Sequence, residues 1–214
     1  MCCEIEKISN EFLYQIKRCE EYYFAWKELQ NAYNLYNKQI CVAQDFFSVV
    51  NEALLNSMMI ELIKIYDYHR DAISMGKLLN RCQSDKSFIN AFVDNEKKNE
   101  LYIMAVKNFN EFLNMENTKN TLKNLNKRRD GFYMHNDGKQ GRFYNIQSLI
   151  EEHPFSFEEM EALIKQAKDF CEKMYSLSAE KEWKPGVHQG NKLEHEREFK
   201  GLHNLMSMVK WIDE

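Results

Sequence analysis

The chain has 214 residues, of which 44% are hydrophobic and 13% aromatic, so it can bury one sizeable core or two small ones and is not intrinsically disordered. It contains only 7 Gly and 2 Pro, and none of them precedes Gly76, which is too few turn-formers for a sandwich, a barrel or a Rossmann-type repeat of short strands. A formal net charge of -4 argues against a protein that coats nucleic acid or anionic lipid over its whole surface. The composition therefore predicts an all-α protein.

The distribution of polar residues and cysteines bears on location and redox state. Asp45, Asn51 and Glu61 are among the polar residues that interrupt the longest apolar stretches, which fall short of the roughly 20 apolar residues of a membrane span. The N-terminus lacks the pattern of a secretory signal. The six cysteines are scattered without a C-x-x-C pair, which favours neither a disulfide framework nor a zinc site. We expect a cytoplasmic protein with no membrane contact, no metal and no cofactor.

The first half of the chain reads as two long helices. Apolar residues recur every three or four positions over Ile5–Leu29, which predicts an amphipathic helix. A looser stretch over 31–44 leads to Asp45, a predicted N-cap. The second helix is predicted over Phe46–Tyr66, and we expect it to be the most buried because apolar residues dominate it.

Turn residues and capping patterns divide the second half. Charges and Gly76 predict a turn over 67–77, and Ser84 or Asp85 is predicted to cap a helix that continues to Leu113. The remaining predicted features are a helix from Asn117 or Thr118 to a turn at Asn136-Asp137-Gly138, a connector over 138–153, and a capping box at Ser156 and Glu159 that begins a helix ending near Leu177. The sequence thus predicts an antiparallel up-and-down bundle of four to five core helices.

Three segments are expected along the chain. Residues 1–178 form the bundle, and 179–191, with two Gly and one Pro, form a linker. Residues 192–214 carry apolar residues at helical spacing, which predicts an extra C-terminal helix that docks on the bundle or on a partner.

A basic ridge precedes the most polar part of the chain. Lys119, Lys123 and Lys127 are four residues apart, hence on one stripe of a helix, and Arg128 and Arg129 follow. Such a ridge is able to follow a phosphate backbone, with lysines as point charges and arginines as bidentate clamps. The alternative is a solvated helix face, which is what most charge runs are.

An arginine and a histidine then occur close together. Arg129 and His135 are six positions apart, which places them about 240° apart on an ideal helix, whereas Arg128 and His135 nearly eclipse. Gly131 between them is able to loosen the helix, and a partner chain is an alternative source of the arginine. Both Arg128 and Arg129 therefore remain candidates.

The stretch from Arg129-Asp130 to His135 resembles the R-(polar)-x-x-x-x-H signature of HEPN domains (higher eukaryotes and prokaryotes nucleotide-binding). The wider layout is similar to the AbiU-type abortive-infection branch over about residues 1–178. This layout comprises an aromatic start at Phe46-Phe47, a long apolar helix ending at Tyr66-Asp67, and a capped helix after the motif.

The resemblance implies a two-fold homodimer with a metal-independent ribonuclease site. The RNA 2'-hydroxyl attacks the adjacent phosphate, His135 acts as general acid or base, and Arg129 stabilises the charged phosphorane, which is chemistry that suits these side chains. Asp130 is expected to orient the arginine or the histidine. The residues expected to bind RNA are Arg128, Lys127, Lys123, Asn136, which is able to donate to a phosphate oxygen, and Tyr133, whose ring otherwise fills the core.

The expected biological role is phage defence or toxicity controlled by an antitoxin or other defence partner. Two other functions remain open. The first is a non-catalytic HEPN module that binds a nucleotide or a protein, and the second is a helical scaffold in which the motif is a coincidence. The polar segment Asp67–Asp71 is expected to cap a helix end, and Asp67 is placed beside the cleft.

Overall fold

A computed structural model of the chain describes residues 2–69, 72–133 and 151–184. Throughout these ranges the regular structure is helical and no strand is present, so the predicted all-α helical-bundle class is confirmed. The predicted C-terminal helix over 192–214 lies outside the described residues, as does most of the predicted linker. The elements in chain order are α1 (Cys2–Leu35), α2 (Asn37–Val42), α3 (Gln44–Tyr66), α4 (Met75–Ser84), α5 (Lys86–Asn90), α6 (Glu96–Asn114), α7 (Glu116–Arg128), a π-helical turn (Arg129–Tyr133) and α8 (Phe157–Ala179).

Backbone contacts divide the chain into two compact units. The first contains Met1–Cys19 and Met59–Trp183, and the second contains Glu20–Met58. Helices α1 and α3 therefore contribute to both units. The candidate site described below lies wholly within the first unit.

The core of the first unit is built around α8. The predicted apolar face of this helix is buried, from Met160 to Met174, because its apolar residues recur at the helical period. Helix α6 packs against α8, and the rings of Phe109 and Phe170 stack with centroids 4.5 Å apart. In the second unit Ile40 and Ala32 are buried, with Phe47 packed against them.

The expectation that the second predicted helix is the most buried is wrong for its first half. In α3, Phe46 is 64% exposed and Val49 is 66% exposed, whereas Leu62 and Ile65 are fully buried. Apolar residues occur around the whole circumference of this helix, although polar residues such as Asn51 and Glu61 interrupt them, so their spacing does not distinguish buried positions from exposed ones. Contrary to the expectation from the interrupted apolar stretches, within the described ranges α3 is long and apolar enough to cross a membrane by length and composition alone, a test that the core helix of a soluble protein also passes.

The segment over 67–113 contains more helices than predicted. Helix α4 begins at Met75, within the predicted turn. The helix expected to run from Asp85 to Leu113 is divided in two, because Asp85 accepts a hydrogen bond from the Ser87 amide at the start of α5 and Asn95 accepts one from the Lys98 amide at the start of α6. Asn and Asp are strong N-caps, so the polar segment before α6 begins a new helix.

The capping box at the start of α8 is confirmed and also holds α7. The Ser156 hydroxyl accepts from the Glu159 amide at 3.1 Å, and the Glu159 carboxylate accepts from the Ser156 amide at 2.8 Å. The second Glu159 oxygen accepts from the Thr121 hydroxyl of α7 at 2.7 Å. A cap predicted from local sequence thereby joins two helices and fixes the helix that carries the basic ridge.

Candidate functional site

The side chain of Arg129 is the centre of a polar cluster at the end of α7. It is only 7% exposed. One terminal nitrogen, Nη1, forms an ion pair with Oδ1 of Asp67, while Nε and Nη2 donate to Oδ1 of Asp130 at 2.8 and 2.6 Å. Three of the five guanidinium N–H donors are thus directed at two carboxylates, which fixes both the position and the plane of the group.

The end of α3 is built to hold Asp67 in place. The preceding residue, Tyr66, is buried and its hydroxyl donates to the Leu163 carbonyl of α8 at 2.7 Å. After the helix ends, the Asp67 carboxylate also accepts from the His69 backbone amide at 2.8 Å. This local turn is one that Asp commonly makes. Asp67 is therefore oriented by the backbone as well as by Arg129.

Tyr68 covers the guanidinium of Arg129. The Arg129 Cζ atom lies 4.4 Å from the centre of the Tyr68 ring, within the range of a cation–π contact. The Tyr68 hydroxyl donates to Oδ2 of Asp130 at 2.9 Å. Asp130 therefore uses one oxygen for Arg129 and the other for Tyr68.

The charges of the cluster reinforce one another. Burial lowers the pKa of Arg129, but hydrogen bonding to Asp130 and the charges of Asp130 and Asp67 raise it by more, so the pKa lies above its usual value and the guanidinium stays charged. The hydrogen bond to the Asp130 carboxylate raises the pKa of Tyr68, which keeps its proton. The cluster is a fixed cation with two fixed anions around it.

The π-helical turn changes the geometry expected between the arginines and His135. Helix α7 ends at Arg128, and Arg129–Tyr133, which includes Gly131, forms a wider turn. Glycine is a weak helix former, and single π-helical turns occur frequently at functional sites. The sequence argument favoured Arg128 because Arg128 and His135 would lie on the same side of an ideal α-helix. The π-helical turn departs from that helix, so the argument no longer distinguishes the two arginines.

Arg128 contacts a different part of the first unit from Arg129. Its Nε atom donates to the His153 carbonyl at 2.7 Å, and its guanidinium lies 5.9 Å from the Phe155 ring. Arg128 therefore holds the segment before α8, whereas Arg129 turns towards the end of α3. Adjacent in sequence, the two side chains reach different parts of the first unit.

The structure places the predicted basic ridge on the open side of α7. Lys119, Lys123 and Lys127 are exposed, while Thr118, Thr121 and Leu125 are buried. The ridge leads along the helix towards the cluster at Arg129.

Some predicted site residues lie outside the described part of the chain. These are His135 and Asn136, so the convergence of Arg129 and His135 stays a prediction. Tyr133 ends the π-helical turn. Among the described residues no group of three or more His, Cys, Asp or Glu is placed to hold a metal ion.

Sequence reasoning missed the role of Tyr68. Tyr68 and Asp130 are 62 positions apart, and nothing in a single sequence pairs them. Asp67 and Tyr68 directly follow a predicted helix, whereas Arg129 and Asp130 lie inside one, so no local pattern indicated the contact.

The chain matches a known protein family over most of its length. The profile of the HEPN family AbiU2 matches residues 4–199, a range that includes all but the first two residues of α1, the whole of α2 through α8, and the stretch from Arg129 to His135. No curated protein and no solved structure matches the chain.

Proposed function

Because the chain belongs to the AbiU2 family of HEPN proteins, and is therefore a HEPN module related to abortive infection, we propose that it is a ribonuclease that cleaves RNA without a metal ion. In this proposal the RNA 2'-hydroxyl attacks the adjacent phosphate, and His135 transfers the protons as general base and acid. Arg129 stabilises the negative charge that grows on the phosphate oxygens in the transition state.

The observation that carries the proposal is the double anchoring of Arg129. A guanidinium stabilises a developing charge most effectively when its orientation is set before the reaction, and Asp67 and Asp130 set it here. Their three bonds leave one N–H on Nη1 and one on Nη2, a pair that suits two oxygens of one phosphate. The exposed lysines of α7 supply the attraction for the rest of the RNA backbone.

The proposal extends to assembly and location. We expect a homodimer that brings two Arg129/His135 pairs into one cleft, with Lys123, Lys127, Arg128 and Asn136 on the RNA. An antitoxin or another defence protein is the expected partner that controls the activity. The proposed site is in the cytoplasm, away from membranes, and uses no cofactor.

One observation favours a second function, a non-catalytic module that binds a nucleotide or a protein. Arg129 is almost fully buried and two carboxylates already balance its charge, as in an ion pair that only holds two helices together. In that case the cluster is structural, and RNA is bound without being cleaved.

A cleavage assay in chelator separates the two functions. Wild type and His135→Ala are incubated with end-labelled RNA in excess EDTA, after circular dichroism has established that both are folded. Ribonuclease function predicts cleavage by wild type and a rate about 10²–10⁴-fold lower for the variant, the usual contribution of a general acid or base. Binding of RNA with no cleavage by either protein supports the non-catalytic module, and equal cleavage by both removes His135 from the reaction.

A further inference from the structure

Tyr68 is an exposed aromatic side chain that is nevertheless held in one orientation. It is 59% exposed. Here the ring lies over the Arg129 guanidinium and the hydroxyl is bonded to Asp130. Two contacts on different parts of the side chain fix the ring plane, so little conformational entropy remains to be lost when a ligand stacks on it.

The ring is also bonded to the turn that follows the lysine ridge. The Tyr68 hydroxyl donates to Asp130, which lies in the π-helical turn directly after α7. Lys119, Lys123 and Lys127 are exposed along α7, and the last of them comes three residues before Asp130. Proteins that bind single-stranded nucleic acid combine a positive track for the backbone with an aromatic ring on which a base stacks.

We infer that Tyr68 is a base-stacking residue for single-stranded RNA, which places one nucleotide next to Arg129. The inference rests on the proposed ribonuclease function for the identity of the ligand, and it adds the residue that positions the nucleotide beside the reacting phosphate. The guanidinium on one face of the ring and a base on the other form a stack of three planar groups. Stacking tolerates any base, so the contact favours an unpaired nucleotide over a paired one rather than one sequence over another.

The inference is tested by binding, in the His135→Ala background so that RNA stays intact. The dissociation constant of a labelled single-stranded RNA is measured by fluorescence anisotropy for three proteins. These are the His135→Ala parent and two double variants that also carry Tyr68→Phe or Tyr68→Leu. Phenylalanine keeps the ring and loses the bond to Asp130, whereas leucine loses both. We expect Tyr68→Phe to bind within about twofold of the parent and Tyr68→Leu to bind about 5- to 150-fold more weakly, the range that one base stack provides. Phe46→Leu, at another exposed aromatic, is the matched control and should bind as the parent does.

Inorganic polyphosphate, which has no bases, distinguishes stacking from a general loss of structure or charge. It should bind equally to the parent and to Tyr68→Leu. Equal RNA binding by Tyr68→Leu and Tyr68→Phe overturns the inference, as does an equal loss for RNA and polyphosphate or the absence of RNA binding by the parent. If Tyr68→Leu weakens RNA binding as expected but wild type does not cleave RNA, the ribonuclease function is overturned and the role of Tyr68 in base stacking is retained.

Discussion

Arg129 and Asp67 form an ion pair between two chain segments 62 positions apart. The pair joins the end of α3 to the π-helical turn after α7, and the side chains are 8% and 17% exposed. Because both partners are largely buried, the contact is more than a surface ion pair. The position of the proposed catalytic guanidinium thus depends on a helix from a distant part of the sequence.

Replacing Asp67 by Asn tests how much the pair stabilises the fold. The amide retains an oxygen acceptor but loses the negative charge. Asp130 is then the only one of the two partners of the buried guanidinium that carries a charge. We expect the free energy of unfolding in urea to fall by about 1–3 kcal/mol, the usual cost of weakening a buried hydrogen bond to a charged group. Glu111→Gln, which breaks the exposed pair with Lys107, is the control and should change stability by less than about 1 kcal/mol. Equal effects of the two substitutions would contradict the structural role of the pair.

The two adjacent arginines are distinguished by Arg129→Lys and Arg128→Lys. Lysine keeps the charge but lacks the planar fork that contacts two carboxylates at once. We expect Arg129→Lys to lower the RNA cleavage rate about 10²- to 10³-fold, as when a donor to a developing oxyanion is removed. Arg128→Lys should mainly weaken RNA binding. The opposite ranking of cleavage rates would assign the catalytic role to Arg128.

The cap of α8 is tested by comparing neighbouring glutamates. Glu159→Ala removes the return bond to the Ser156 amide and the bond from Thr121. We expect a loss of about 1–2 kcal/mol in unfolding free energy, as for other caps. Glu158, also in the first turn of α8, is exposed, and Glu158→Ala should cost less than half as much. Similar losses would mean that only charge at the helix N-terminus matters.

Buried Cys82 predicts a loss of stability in alkali. Burial raises the pKa of Cys82 from 9.0 to about 11. Below about pH 9 the Cys82 thiol keeps its proton in both the folded and the unfolded protein. Between about pH 9 and 11 the thiol ionises in the unfolded protein but not in the folded one, so unfolding is favoured as the pH rises. We expect the unfolding free energy to fall across this range, and to fall less steeply in Cys82→Ala. Cys41→Ala, at an exposed thiol, should follow wild type, and identical slopes in all three proteins would contradict the assignment.

Local sequence determined much of the fold. The period of apolar residues predicted α1 and the buried face of α8, and the Ser156 and Glu159 spacing predicted the capping box, because these features depend on residues within four positions of one another. The division at Asn95 was missed because a polar stretch inside a helical pattern fits both a solvated helix face and a new N-cap. Burial along α3 was missed because α3 has apolar residues around its whole circumference, and which of them are buried depends on the elements that pack against it.

The candidate site was predictable only in part. Arg129 and Asp130 are neighbours in the sequence, so their bond follows from the motif. Tyr68 meets Asp130 because the residues that follow α3 and α7 come together in the first unit, and the sequence carries no periodic signal for that contact. The resemblance to HEPN domains identified the motif, while the structure identified what holds its arginine.

The chemistry at the 2'-hydroxyl is the most direct test of the proposed reaction. Wild type is incubated in EDTA with an RNA oligonucleotide and with its fully 2'-O-methylated counterpart, and the product ends are identified by mass spectrometry. The account predicts that only the unmodified RNA is cleaved, to fragments with a 2',3'-cyclic phosphate and a 5'-hydroxyl, because the 2'-oxygen is the nucleophile and displaces the 5'-oxygen. Cleavage of the methylated strand, or intact RNA after incubation with a protein that binds it, would contradict the account.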